Sequence, residues 1–383
     1  MKLTAFPNPG LTRRHWLVLA ASGLSGCGGG GTGPGTDTGA LPGTGGTGIY
    51  VAGSISGFGS VILGGIKFDD TAASVTVDGA IATPAALRLG MVAEVLGERS
   101  KSLPAQGIAS SIDVWSIARG LVTDRSSGGL VTVAGMNVRI DANTVLDGIN
   151  DQTSLTEDVP VMVWGLQAAG GIWTATRVAK VADTTTLVTT GRVTEDDDHL
   201  YINDIRLSDA SSASLAVGTW VRVEGRFNGQ ERLVVSSFKV LQGPAVTPGA
   251  NSVIEVEGYV TSALVGDRFA MGQWLVDVTA ISHPATIAEG DKVEVSGTYA
   301  DGVLHATLLT VDDESVVQEV EIEAVIDSYN SISDFVLRGQ HCNASTAQIG
   351  PGVASRLRVG VKVKIHGHKS GEFVRVEELE ISS

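Results

Sequence analysis

The segment Gly218-Thr-Trp-Val221-Arg-Val223-Glu-Gly225 is one version of a frame that this chain uses five times. It recurs at 90–97, 290–297 and 360–367, and at 158–165 with Asp158 in place of the first glycine. The closing glycines 97, 165, 225, 297 and 367 are spaced by roughly 60 to 70 residues, a period that marks tandem modules rather than one large domain. Within the frame Val221 and Val223 share one face and Arg222 and Glu224 the other, the alternation of a strand with one side in a core.

The third unit shows what each module should be. Residues 188–193 begin a strand, the acidic run Glu195-Asp-Asp-Asp198 turns it, and Leu200-Tyr-Ile202 returns. Asn203-Asp204 turns again into 205–207, and a short connector from Asp209 to Leu215 can form one helical turn with Asp209 as cap. The frame is then the fourth strand, Gly229 lies in a loop, and 233–240 closes the unit. Three strands, a brief connector and two strands are the order of an OB-type barrel. The other connectors are Thr83-Pro84-Ala-Ala-Leu87, with Pro at the first helical position, His283-Pro284-Ala-Thr-Ile287 and Ala354-Ser-Arg-Leu357. A closing glycine fits a bulge or a sharp bend, where a bent barrel strand needs a residue with no Cβ.

The expected fold is all-β: about five tandem, five-stranded OB-like barrels. They occupy 49–114, 115–183, 184–242, 253–313 and 314–383. A unit this small buries only about 60% of its unfolded surface, so the units are expected to pack on their neighbours in series. The two prolines and two glycines of 243–252 predict a hinge dividing three units from two.

The first 48 residues read as an address and a tether. Lys2, Arg13 and Arg14 precede the apolar run 16–24, too short for a mature membrane span, so 1–26 is expected to be a signal peptide. Leu24-Ser-Gly-Cys27 resembles the bacterial lipobox, which implies lipidation of Cys27 and a membrane anchor. The pair Arg13-Arg14 resembles a twin-arginine export signal. Gly28 after the cysteine implies outer-membrane sorting, so the expected place is the periplasmic side of that membrane or the cell surface. Residues 27–48 are Gly- and Thr-rich, cannot bury an apolar surface, and are expected to form a flexible linker.

Charge narrows the partners. The formal net charge is -15, and without the three cations of 1–26 it is -18. Such a field repels phosphate backbones, so no nucleic-acid partner is expected. Cations, neutral glycans and proteins remain. The two cysteines, Cys27 and Cys342, are too few for a disulfide framework.

The stretch Ser56-Gly-Phe-Gly-Ser-Val-Ile-Leu-Gly-Gly-Ile-Lys-Phe-Asp69, followed by 89–97, resembles the bacterial domain-of-unknown-function 5666 family. The first unit carries the likeness most clearly, and the later units look like diverged copies within 49–382. The resemblance implies an exported, often lipid-anchored repeat protein, and it brings no catalytic residues.

Several residue groups invite a chemical role. His341, Cys342, His366 and His368 share the last unit and are donors zinc or copper would accept, although no CxxC or HxxxH spacing closes the set. The run Glu195-Asp-Asp-Asp-His199 lacks the spacing of a calcium loop and reads better as a solvated tip. Trp115, Trp164, Trp173, Trp220 and Trp274 are candidate stacking platforms for sugars, against the commoner role of packing. No GxSxG, HExxH or P-loop appears, so neither catalysis nor a cofactor is expected. An enzyme would need a deep pocket lined by converging titratable groups. The expectation is a non-catalytic binding or scaffold protein of the cell envelope with a protein or glycan partner. Metal or cation binding by the last unit is the alternative.

Overall fold

The frame's first position tests the strand reading residue by residue. In a computed structural model, Gly90, Gly218, Gly290 and Gly360 have φ of 76°, 89°, 93° and 87°, and Asp158 has φ of 65°. All five sit in the left-handed region, where glycine is free of strain and Asp is among the few tolerated substitutes. The frame therefore opens on a turn whose backbone sign, not its side chain, selects the residue.

The structure describes residues 47–126, 128–182, 185–209, 214–241, 252–282, 287–312, 319–370 and 373–382. Arg13, Arg14, Cys27, most of the tether, residues 210–213 and 283–286 of two connectors, and the linker up to 251 lie outside the described residues.

The described chain is all-β, punctuated by 3-10 turns. From 118 to 180, strand Ala118–Arg125 pairs antiparallel with Leu130–Val133, and that strand with Met136–Arg139. Met136–Arg139 runs parallel to Trp173–Lys180, which is antiparallel to Pro160–Gln167, which returns to Ala118–Arg125. This ring is a closed five-stranded barrel in the OB order 1-2-3-5-4-1. The same ring closes from 253 to 311. The same order is traced in 47–114 and in 319–381. In 187–240 the parallel closure among the described residues is the bridge Leu207–Leu233. The first barrel adds a hairpin, Ser74–Val77 with Ala80–Ala82, that the sequence pattern did not separate.

The connectors at 84–86 and 354–356 are one-turn 3-10 helices; Thr83 caps the first without a side-chain hydrogen bond, and Pro84 opens it. Asp197 and Asp198 form the exposed hairpin tip, both with positive φ. Each closing glycine sits at a register shift of its ladder: Leu96/Gly97, Trp164/Gly165, Glu224/Gly225, Ser296/Gly297 and His366/Gly367. A Cβ there would stand 2.1–2.5 Å from a backbone carbonyl oxygen of the neighbouring strand. The glycine is thus required by steric contact across the bulge.

Packing departs from the serial expectation. Strand Thr47–Ser54 runs parallel to the start of Val253–Val265, with Ile49 beside Val253 and Ala52 beside Val256. Gly57–Phe58 runs parallel to Glu319–Ser331. The first barrel is therefore joined by backbone hydrogen bonds to the two barrels beyond the 243–252 linker, and the predicted hinge does not separate two free bodies. The pairing fills a free edge: residues 254–259 pair within their own ring only with Lys292–Ala300, which leaves the N–H and C=O groups of their other edge open to Thr47–Ser54. Val188 beside Arg119 links the second and third barrels in the same way. Tyr50 points out of its own barrel into the core cluster of 254–306, with its ring 6.1 Å from that of Trp274.

Candidate functional site

Because the barrels meet at their outer faces, residues that alternate away from one core gather at the junctions. In strand Trp173–Lys180, Trp173 and Ala175 enter their barrel's core, so Thr174 and Thr176 face out. Ser54 and Ser56 flank core residue Ile55, and Lys292 and Glu294 flank core residue Val293. These outward faces, with residues of the fifth barrel, line a half-open cavity of about 510 Å³. That volume lies within the usual range for small-molecule sites.

The cavity's charges are partly spent on one another. Lys292 Nζ is 2.5 Å from Glu257 and 3.4 Å from Asp312. Burial opposes the Lys292 ammonium, but Glu257 and Asp312 outweigh it and hold its pKa above the ordinary value. Glu257 also accepts from Ser54 N at 2.8 Å and from Ser54 Oγ at 2.9 Å. Ser54 is thereby held as a donor to a carboxylate that also pairs with Lys292. Glu294 is different: burial first, then Glu255, Glu257 and Asp312, push its pKa up. The hydroxyls of Thr174 and Thr176 are buried and have no hydrogen-bond partner among the described residues. Thr174 is 3% exposed, so its hydroxyl is a buried polar group without a partner among the described residues.

Lys369 completes the wall. It donates to Thr144 O at 2.5 Å, and burial, with nearby Arg177, pushes its pKa down to about 7, against a smaller pull from Asp141. Its ordinary value is 10.5, so between pH 7 and 10.5 the unfolded chain holds a proton that the folded chain lacks. Stability contributed by this group therefore rises with pH across that window and is lost below it. Lys369→Met is expected to flatten the rise of melting temperature between pH 7 and 10; an unchanged slope would show that Lys369 is protonated in the fold.

The tryptophans also converge. Trp115, Trp173, Trp220 and Trp274 line a second cleft of about 150 Å³, with Tyr259, on the junction of the first four barrels. Their faces are largely occupied. Lys239 Nζ lies 4.3 Å over Trp115 and the Arg222 guanidinium 5.2 Å, while Trp274 is edge-on to Tyr299 at 5.5 Å. Trp164 is 3% exposed inside the core cluster of the first barrel. Trp173 and Trp274 pack in the cores of their own barrels, Trp164 and Trp220 pack against the core of a neighbouring barrel, and Trp115 takes the cation–π contacts.

The last-unit donors do not form a common ligand set. Cys342 is fully buried in a core cluster, and burial pushes its thiol up, away from the thiolate a metal needs. Adjacent His341 faces the opposite way, with Nδ1 3.1 Å from Asp334 and its ring edge-on to Phe373. His368 Nδ1 lies 3.2 Å from Glu377, and His366 is registered between Glu321 and Glu378. Strand Phe373–Ile381 stands between His341 and the two later histidines, which separates them by about 10 Å. No group of three or more His, Cys, Asp or Glu side chains among the described residues is arranged to hold a metal ion.

The fold and its junctions define a class: an all-β protein whose small barrels are joined at their outer faces around half-open cavities. The family model described as a domain of unknown function, DUF5666, matches residues 119–179 and 257–309, two separate segments, as a repeated domain would. The resemblance to that family is thus shown. The matches fall on the second and fourth barrels, each nearly a whole ring, rather than on the first unit where the motif looked clearest. No curated protein matches the chain.

The sequence reading did not single out Thr174, Thr176, Glu257, Lys292, Glu294 or Lys369. One signal was present: Ile49-Tyr-Val-Ala52 is apolar without alternation, which marks a strand buried on both faces and hence a barrel–barrel contact.

Proposed function

We propose that the protein is a non-catalytic binding protein of the cell envelope, five tandem barrels on a lipid anchor, that takes a small ligand in the cavity between them. The observation that carries the binding part is the cavity of about 510 Å³ whose wall holds the unmet Thr174 hydroxyl. Paired charges there can orient a ligand. The envelope location rests on the N-terminal sequence alone: the basic start, the apolar run and Cys27.

One preparation tests both parts. Cys27→Ala should move the protein from the membrane to the soluble fraction. Native mass spectrometry of the envelope-purified protein should show a small-molecule adduct that Thr176→Trp, which fills the cavity, excludes. A Cys27→Ala form that stays with membranes removes the anchor. A protein that carries no adduct and gains no thermal stability from an envelope small-molecule extract removes the ligand site.

A further inference from the structure

The cavity carries more negative charge than its own amines neutralise. Its wall holds Asp141, Glu257, Glu294, Asp312 and Glu319 against Lys292 and Lys369. Glu257 and Asp312 are engaged by Lys292. Glu294 has no ion pair among the described residues, and a Cβ placed on Gly64 would lie 3.2 Å from its Oε1, so its carboxyl reaches across toward the first barrel. Three neighbouring carboxylates, Glu255, Glu257 and Asp312, act against its charge. Like charges held in a half-dry site are costly unless a cation joins them.

A second observation is independent of charge. Thr174 Oγ1 is buried and unpartnered on the same wall, so the site also offers a hydrogen-bonding group to a ligand's N–H. A bare metal ion is a poor occupant, because calcium wants six to eight oxygens and no group of three or more His, Cys, Asp or Glu among the described residues is arranged to supply a metal site. Beside the polar Ser54, Ser56 and Asn143, the wall also holds Leu89, Val145, Val320 and Tyr259. Methylenes suit the aliphatic surface, and a tyrosine ring face attracts an ammonium. The surplus of carboxylates exceeds what a single positive charge would balance.

We propose that the junction cavity binds an aliphatic diamine, with one ammonium at Glu294 and the methylene chain along Leu89 and Val145. This rests on the reading of the cavity as a ligand site. The ammonium donates to the Glu294 carboxylate and to Thr174 Oγ1, and the charge excess favours a dication over a monoamine.

Isothermal titration with 1,5-diaminopentane and with its uncharged counterpart 1,5-pentanediol tests the assignment on the full chain. The diamine is expected to saturate one site and the diol none. Glu294→Gln should weaken the diamine by about tenfold or more, as loss of a hydrogen bond to a charged group does. Thr174→Val, close in shape, should weaken it less. Glu294→Gln relieves repulsion, so its melting temperature should equal or exceed that of the wild type, which separates lost binding from lost folding. Equal binding of diol and diamine overturns the cation assignment and leaves the ligand site standing. No saturation by the diamine up to about 10 mM, or unchanged affinity in Glu294→Gln, overturns the inference. The adduct measurement above then decides the ligand site by itself.

Discussion

Arg222→Ala is expected to cost about 3–5 kcal/mol of stability, the loss typical of breaking a buried, hydrogen-bonded charge pair. Arg222 is the fifth residue of the third frame and faces away from its own barrel core, yet it is only 3% exposed. Its Nε donates to Ser116 O at 2.7 Å, and Nη2 donates to Asp78 Oδ1 at 2.8 Å and to Ser116 Oγ at 3.1 Å. The guanidinium also covers the Trp115 ring. Burial lowers the Arg222 pKa, and Asp78 and Glu224 counter that. Truncation would leave a buried carbonyl without its donor, weaken the hold on Asp78 and open a gap at the joint of three barrels. Arg222→Lys should recover only part, since an ammonium lacks the planar fork that serves three acceptors at once. Urea unfolding followed by tryptophan fluorescence measures this; a loss below about 1 kcal/mol would put Arg222 among ordinary surface ions.

Gly297→Ala should destabilise by about 3 kcal/mol, at the upper end of overpacking costs. The added Cβ would stand 2.1 Å from His305 O and 3.0 Å from Ala306 Cα, and both belong to backbone that cannot swing aside. Gly290→Ala, at the other end of the same frame, meets nothing within 4 Å, and its strain is the left-handed φ of 93° alone. Its cost should be about 1 kcal/mol, the usual penalty of a side chain at such a φ. The pair separates steric from torsional need inside one octapeptide. Equal losses at the two positions would contradict the bulge contact as the reason for the closing glycine.

Much of the fold was legible. The octapeptide marked the fourth strand of each barrel, its closing glycine marked the bulge, and the Asn203-Asp204 and Asp197-Asp198 turns fell where their sequences place them, because each depends on residues a few positions apart. The four metal candidates do not converge, in part for a local reason: His341 and Cys342 are consecutive on a strand, and consecutive side chains leave opposite faces. The hinge expectation erred because composition at 243–252 says nothing about an edge that Val253–Val265 shares with Thr47–Ser54, some two hundred positions earlier.

The frame's fifth residue shows where sequence ends. It is Glu94, Met162, Arg222, Glu294 or Lys364, and in every copy it points out of its barrel. The sequence determined that direction, because alternation is set within one strand. Only the tertiary structure decided what outward meant. Glu94 meets Lys239 at 3.3 Å, Lys364 meets Glu321 at 3.2 Å, Arg222 clamps a junction, and Glu294 is left in a cavity with other carboxylates. The individuality of the units therefore lies on their strand faces, not only in their loops. Which outward face meets which depends on edge pairing between distant strands, and no local pattern of residues encodes that partner.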